Sequence, residues 1–522
     1  MANLFGIKII NGLVLDGTGS PAKKIDIGII GDKIDALGNL SPAETKVTID
    51  AAERIVCPGF IDAHSHSDAY LLIEPSAPSK IYQGITTEIV GNCGASAAPI
   101  MGDYNMPSDW KGKEYPGKWS SVAEYRELLE QQQPAVNVVL MIGHNNLRAS
   151  VVGYDNRQLT DAELQKMTRL FEQCLDQGGR GLSTGLIYPP GMFAPQEELV
   201  ELAKISARYS GIYATHMRSE SKHLLDAIKE AIFIGKTANI RVEISHLKTS
   251  GSSNWGLIDQ VLDIIRNARA EGVDIAADRY PYTSACTDLD VIFPDWAEEG
   301  GRDAAMKRLK NASDRARLRS DLLKSRSEDY WATITIGSTS CPDNKKFQGM
   351  PFLEAAESLG MEPVDAILYF AESDELKTSA FFFGMSEKNM IKILAEPYVM
   401  IGSDASLRSL TGQLSHDYPH PRAYGTFPRF IRMAIDKKTV PLQEAVRKIT
   451  CLPAQQFHLA DRGVIAKGMK ADIIVFNPET IQDTASYSNP HQFAKGIDHV
   501  IVNGVQTLAD GNFTGTRAGR FL

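Results

Sequence analysis

Four segments of the chain carry donors suited to a metal ion at the ends of apolar runs. FIDAHSH (60–66) ends in His64-Ser65-His66, and on an extended chain residues i and i+2 share a face, so both imidazoles can reach one ion. IYATHM (212–217) carries His216, VEISHL (242–247) carries His246, and VMIGSD (399–404) closes on Asp404. Taken singly, a histidine at a strand end is most often a hydrogen-bonded cap, and Asp404 after Gly402-Ser403 reads equally well as a helix N-cap. Taken together, four imidazoles and a carboxylate form the donor set of a hard-to-borderline divalent ion, with zinc the first choice.

These residues must be brought together by the elements that carry them. Between about 57 and 455, short β-rich runs alternate with helix-compatible stretches: the four above, ITTEIVGN (85–92), VVLMIGH (138–144), GLSTGL (181–186) and DIAADRYPY (274–282). Eight such alternations predict an α/β fold, a (β/α)₈ TIM-like barrel, whose chemistry collects at the C-terminal ends of its strands. The candidate donors fall at those ends. Runs seven and eight lie too far apart for one helix and two loops, so an inserted lobe is expected between strands 7 and 8, at about 284–360.

The two ends of the chain read as short strands and turns. IINGLVLDG (9–17) and IVNGVQTLADG (501–511) echo each other, and Asn11-Gly12 between apolar runs predicts a tight hairpin. Residues 1–56 and 456–522 are therefore expected to build one small β-sandwich domain around a barrel domain at 57–455. The 522-residue chain has 55 Lys+Arg against 64 Asp+Glu, a net charge of −9, with no basic cluster of the kind that binds nucleic acid. Nor is there an apolar run of about 18 residues to cross a membrane. The opening MANLFGIKIINGL lacks the features of a signal peptide, and the six cysteines are scattered without a CxxC pair, so a cytoplasmic location is expected.

The motifs resemble those of the amidohydrolase superfamily, and within it the N-acyl-D-amino-acid deacylases. PGFIDAHSHSD (58–68), TTEIVGNCGASAAP (86–99), GLSTGLIYPPG (181–191), YATHMRSE (213–220), ISHLK (244–248), HPRAYGTFPR (420–429) and GMKADIIVFNP (468–478) carry the likeness over nearly the whole chain. The resemblance implies a metal site of His64, His66, Cys93, His216, His246 and Asp404. In it Cys93 takes the bridging place that a strand-4 lysine holds in many relatives, and the fourth run here offers no lysine. Cys93, His216 and His246 would hold a tight zinc ion, with a weaker second site at His64, His66, Cys93 and Asp404.

The resemblance also implies a substrate, an N-acyl-D-amino acid, whose carboxylate would meet Lys248, Tyr282 and Arg422. Arg offers a planar fork, Lys a point charge and Tyr a neutral donor. Asp404 would serve as general base and then acid, while Tyr188 and His144 would donate to the reacting oxygen or orient a ligand. The acyl group and the D side chain are not specified by the motifs, nor is the oligomeric state. Dipeptides with a C-terminal D-residue and cyclic amides are alternative substrates, and a non-catalytic scaffold is the reading of another class.

Overall fold

In the computed structural model, which describes residues 4–40 and 43–522, eight parallel strands are arranged in a ring. They are β1 (Phe60–Asp62), β2 (Ile85–Val90), β3 (Asn137–Leu140), β4 (Gly181–Gly185), β5 (Ile212–His216), β6 (Arg241–Ile244), β7 (Ile275–Arg279) and β8 (Val399–Ile401). Their residues are buried on both faces, as a parallel sheet sheathed in helices requires; in β3 even Asn137 is inaccessible. Parallel ladders run β1 to β2 to β3, then from Ile142–Gly143 just beyond β3 to β4, and on through β5, β6 and β7 to β8. Closure between β8 and β1 is different. Among the described residues no ladder joins them, only an isolated bridge, Ser65 with Ala405, and a few backbone hydrogen bonds.

The outer helices have local reasons to form. Helix Asp161–Asp176 starts on a reciprocal cap, with the Glu163 amide donating to Thr160 Oγ1 and the Thr160 amide to the Glu163 carboxylate. It buries Met167, Phe171, Cys174 and Leu175, one stripe at helical spacing. Cys174 is thus a packing residue. Helices Gln196–Arg208, Leu224–Ala238 and Ile258–Ala270 bury a similar apolar stripe without a side-chain cap.

Between β7 and β8 lies a lobe with its own apolar core, which includes Leu289, Leu318, Leu322, Trp331, Phe347, Phe352 and Phe370. Strand Ser379–Phe382 is the middle of its antiparallel sheet, flanked by Ala285–Asp288 and Ile334–Ile336. The lobe therefore runs on to about 382, beyond the expected 360, because its first strand finds its hydrogen-bond partner only there.

Segments from both ends share one sheet, in which Ile473–Phe476 pairs antiparallel with Ile55–Pro58 and with Ile497–Val502. A four-stranded sheet that includes Phe5–Ile10 packs on it through Ile7, Ile9, Ile27, Ile29, Val56, Ile473, Val475 and Ile501. The two Asn-Gly pairs behave differently. Asn503 (φ 48°) and Gly504 (φ 77°) turn a true hairpin between Ile497–Val502 and Val505–Ala509. The hairpin expected at Asn11-Gly12 does not form: Phe5–Ile10 pairs in the four-stranded sheet, while Leu13–Val14 crosses to pair beside Ile55 and Val56 in the other. A Cβ at Gly12 would lie 2.5 Å from the Val56 side chain, so glycine is needed there for the crossing rather than for a hairpin. No described helix is long and apolar enough to cross a membrane.

Candidate metal centre and active site

The donors converge over the C-terminal end of the ring. Donor atoms of His64, Cys93, His246 and Asp404 all lie within 4.8 Å of one another, and so do those of His216, Glu220 and His246. Cys93 Sγ is 3.3 Å from His64 Nε2 and 3.4 Å from His246 Nε2. Asp404 Oδ1 is 3.1 Å from His66 Nε2 and 3.5 Å from His64 Nε2. The rings of His216 and His246 lie 4.4 Å apart, edge to face.

Most of these residues sit just past their strands. His216 ends β5, but His64-Ser65-His66, His246 and Asp404 follow the last ladder residues of β1, β6 and β8. His64 and His66 thus meet through a loop rather than by strict strand alternation. Cys93 (φ 52°), His246 (φ 38°) and Asp404 (φ 49°) hold left-handed backbone conformations, uncommon for residues with a Cβ and concentrated here at one site. The lack of a strand-4 lysine has a steric counterpart. A Cβ at Gly185, the last residue of β4, would lie 2.0 Å from the Cys93 carbonyl oxygen, so the bare strand end lets the cysteine loop lean across.

The electrostatics suit a cation. His216 is buried, and neither of its ring nitrogens has a hydrogen-bond partner of normal geometry. Such a desolvated, unpaired imidazole is costly unless an ion takes it. Burial alone would raise the Cys93 thiol pKa, but the neighbouring His64 and His246 outweigh it and hold it well below the usual thiol range. Burial likewise opposes ionisation of Asp404, and Arg422 and His246 overcome it, so the carboxyl lies well below its ordinary range. A thiolate, imidazoles and carboxylates around one centre fit zinc, and the two overlapping groups leave room for more than one ion.

Two acids absent from the sequence-based set orient the histidines. Asp278, near the end of β7, accepts from His64 Nδ1 at 3.0 Å through Oδ2 and from the His246 amide at 3.0 Å through Oδ1. Glu220 Oε1 lies 2.8 Å from His246 Nδ1 and also pairs with Lys248. Their signals were present, Asp278 in the seventh run and Glu220 four residues after His216. Only the folded site shows which oxygen faces which ring. Asp278→Asn is expected to lower zinc affinity by about 10–100-fold, the usual effect of losing a partner behind a metal-binding histidine. Competition with a chromophoric chelator would measure it, and parent-like affinity would refute the orienting role.

Of the residues expected to bind substrate, Arg422 sends Nη1 to Asp404 Oδ2 at 2.7 Å and Nη2 to the Cys286 carbonyl at 3.3 Å. Lys248 Nζ lies 2.8 Å from His246 Nδ1. Tyr282 is buried, its hydroxyl donating to Asp483 Oδ2 at 3.4 Å and its ring meeting His420 and Arg429. The rings of Tyr188 and His216 meet edge to face with centroids 5.2 Å apart, and the Tyr188 hydroxyl is 3.1 Å from Thr287 Oγ1 in the first strand of the lobe. His144 departs from expectation. Its Nε2 is 2.8 Å from Glu198 Oε1, and the same carboxylate holds Arg148. The run that carries His144 ends by starting helix His144–Val152, which turns the ring into this buried pair.

Comparison with known proteins agrees with this geometry. The family model described as "Amidohydrolase family" matches residues 47–211 and 399–508, and the chain belongs to that family. A D-aminoacylase of Alcaligenes xylosoxydans xylosoxydans is 36% identical over 522 residues, covering 99% of this chain and 97% of that one. The crystal structure of an N-acyl-D-glutamate deacylase from Bordetella bronchiseptica, complexed with zinc and a phosphonate mimic of the tetrahedral intermediate, superposes with a TM-score of 0.84 at 31% identity over 100% of both chains. A D-aminoacylase structure described for its binuclear metal centre gives a TM-score of 0.84 at 35% identity over 99% of both chains.

Proposed function

We propose that this protein hydrolyses the amide bond of N-acyl-D-amino acids, releasing a D-amino acid and a carboxylate, with zinc held by His64, His66, Cys93, His216, His246 and Asp404. The observation that carries the reading is the meeting of the thiolate–imidazole cluster with a buried arginine on its carboxylate edge, where Arg422 faces Asp404. Bound zinc supplies Lewis-acid chemistry, drawing electron density from the acyl carbonyl and acidifying water.

The chain's own residues do the rest. Asp404 takes the proton of the attacking water on a carboxylate oxygen and returns it to the departing amine nitrogen. Arg422, Lys248 and Tyr282 bind the substrate carboxylate, which fixes the face of the α-carbon turned toward the side-chain pocket and so selects the D configuration. Burial holds the Tyr188 phenol well above its usual range, so it stays protonated as a donor toward the reacting oxygen. The proposed organisation is a terminal β-sandwich (1–56 and 456–522) around the barrel and its lobe. All six cysteines are unpaired, which supports a reducing, cytoplasmic setting.

The test is amine release from a panel of N-acetyl-D- and N-acetyl-L-amino acids after zinc reconstitution. Turnover of D members only is expected, with the side chains ranked by kcat/KM. Absence of turnover on every member, with zinc bound, would overturn the deacylase reading and move the search to D-dipeptides and cyclic amides.

A further inference from the structure

The seam between β8 and β1 is where the ring lacks a ladder, and it is also where His64, His66 and Asp404 sit. One buried ammonium stitches it. Lys80, in the short helix Pro78–Ile81 between β1 and β2, is 0% exposed. Its Nζ lies 3.0 Å from Asp62 Oδ2, 3.0 Å from Glu88 Oε1, 3.2 Å from Ser65 Oγ, 3.0 Å from Ser403 Oγ and 3.0 Å from the Ala405 carbonyl oxygen.

Each contact leads to a ligand-bearing segment. Ser65 is the middle residue of the histidine pair, and its hydroxyl donates to Glu88 Oε1 at 2.6 Å. Ser403 and Ala405 flank Asp404. Asp62 accepts from the Ser403 amide at 2.8 Å and from the His64 amide at 3.3 Å, tying both sides of the seam to one carboxylate. Among the described residues the backbone contributes three hydrogen bonds across it, from the Ala63 amide to the Ile401 carbonyl at 3.3 Å, from the Asp404 amide to the His64 carbonyl at 2.8 Å and from the His66 amide to the Ala405 carbonyl at 3.3 Å, the last two framing the isolated bridge at Ser65 and Ala405. Burial works against the ammonium, but Asp62 and Glu88 outweigh it and hold Lys80 above the ordinary lysine range.

We propose that Lys80 is a positioning residue for the reaction, fixing the left-handed turn that presents Asp404 relative to His64 and His66 across the open seam of the barrel. The inference rests on the deacylase reading for the meaning of Asp404, although its geometry stands without it. The partners of Lys80 Nζ include none of the proposed ligand side chains. It acts through Ser65, Ser403 and the Ala405 carbonyl, and a displacement of about 1 Å in a catalytic group costs about 10²-fold in rate. The opposite wall, His216 and His246, stands on β5 and β6, and among the described residues neither imidazole hydrogen-bonds to Lys80, Asp62, Glu88, Ser65 or Ser403. Cys93, just past β2, lies between the two halves, 3.3 Å from His64 Nε2 and 3.4 Å from His246 Nε2, so loss of the ammonium should bear mainly on the half built from His64, His66 and Asp404.

The test is Lys80→Met, read in the zinc enzyme and again after cobalt substitution. Expected are a kcat lower by about 10–100-fold with KM within about 3-fold, and a Cys93 thiolate-to-cobalt charge-transfer band that persists. The cobalt equivalent that depends on His66 and Asp404 should weaken by about 10–100-fold. A merely structural role would lower every signal together, in proportion to the unfolded fraction. If the lone substitution leaves Asp62 and Glu88 too poorly compensated to fold, the charge-neutral set Asp62→Asn, Lys80→Met, Glu88→Gln keeps the shapes, and the same readings apply. A folded variant with parent kcat and both cobalt equivalents intact would overturn the proposal, as would failure of both variants to fold. Should the parent release no amine from any N-acyl-D-amino acid, the cobalt titration still decides the role of Lys80, separately from the fate of the deacylase reading.

Discussion

Asp404→Asn is expected to lower kcat on the best N-acetyl-D-amino acid by about 10²–10⁴-fold, toward the upper end because one group serves twice, as base and then as acid. The amide is nearly isosteric and can still offer an oxygen, so the position between His66 and Arg422 stays filled. What it cannot do is accept a proton near neutral pH. Zinc content close to the parent's with kcat collapsed is therefore the signature, and elemental analysis beside single-turnover kinetics would show it. If zinc left with the activity, Asp404 would be a ligand first and the proton-transfer role would lose its support. If activity stayed within about 3-fold of the parent, another group would be the base.

The second large effect is at Cys93. Cys93→Ser keeps a Cβ and a polar atom at the same left-handed position, so the backbone cost is shared by parent and variant and the comparison isolates the sulfur. A thiolate between two imidazoles, 3.3 and 3.4 Å away, is a far better zinc donor than a neutral hydroxyl. Zinc affinity should fall by more than the roughly 100-fold that an outer partner is worth, and activity at trace zinc should go with it. The cobalt enzyme gives a direct readout, because the thiolate charge-transfer band must vanish. A Cys93→Ser protein that retained tight zinc and full turnover would remove the cysteine from the centre.

The legible part of the site was the part that local chemistry marks. Histidines and an aspartate closing apolar runs are visible in one dimension, since strand ends and barrel mouths coincide in this architecture. Cys93 was visible only through the GNCG motif and its family resemblance. Asp278, Glu220 and Lys80 were not singled out, because an acid near a strand end and a lysine in a four-residue helix look like solvated charges until the fold shows what they face. His144 misled for the mirror reason: its run had the right form, but the ring turns to Glu198. In the fold, Asn11-Gly12 and Asn503-Gly504 are the same dipeptide with opposite outcomes, decided by which sheet the next strand joins. The far end of the lobe was missed because strand Ser379–Phe382 has no local mark of belonging with Ala285–Asp288; their pairing is purely long-range.

The pairing of Ile55–Pro58 with Ile473–Phe476 has a consequence during synthesis. The earlier strand leaves the ribosome roughly 400 residues before its partner, which at about 5–20 residues per second is an interval of roughly 20–80 s. Through that time Ile55 and Val56 can pair on one side only, with Leu13–Val14, and the other edge of the strand, with Val56 and Cys57 fully buried in the finished protein, has no neighbour, while β1 begins two residues after Pro58. The order of assembly is thereby reversed from the order of translation: the barrel can gather its strands as they emerge, and the sandwich at its side is completed last. A nascent chain of this protein would carry an unpaired apolar edge for most of its time on the ribosome, which makes residues 55–58 a natural place for a chaperone to hold it.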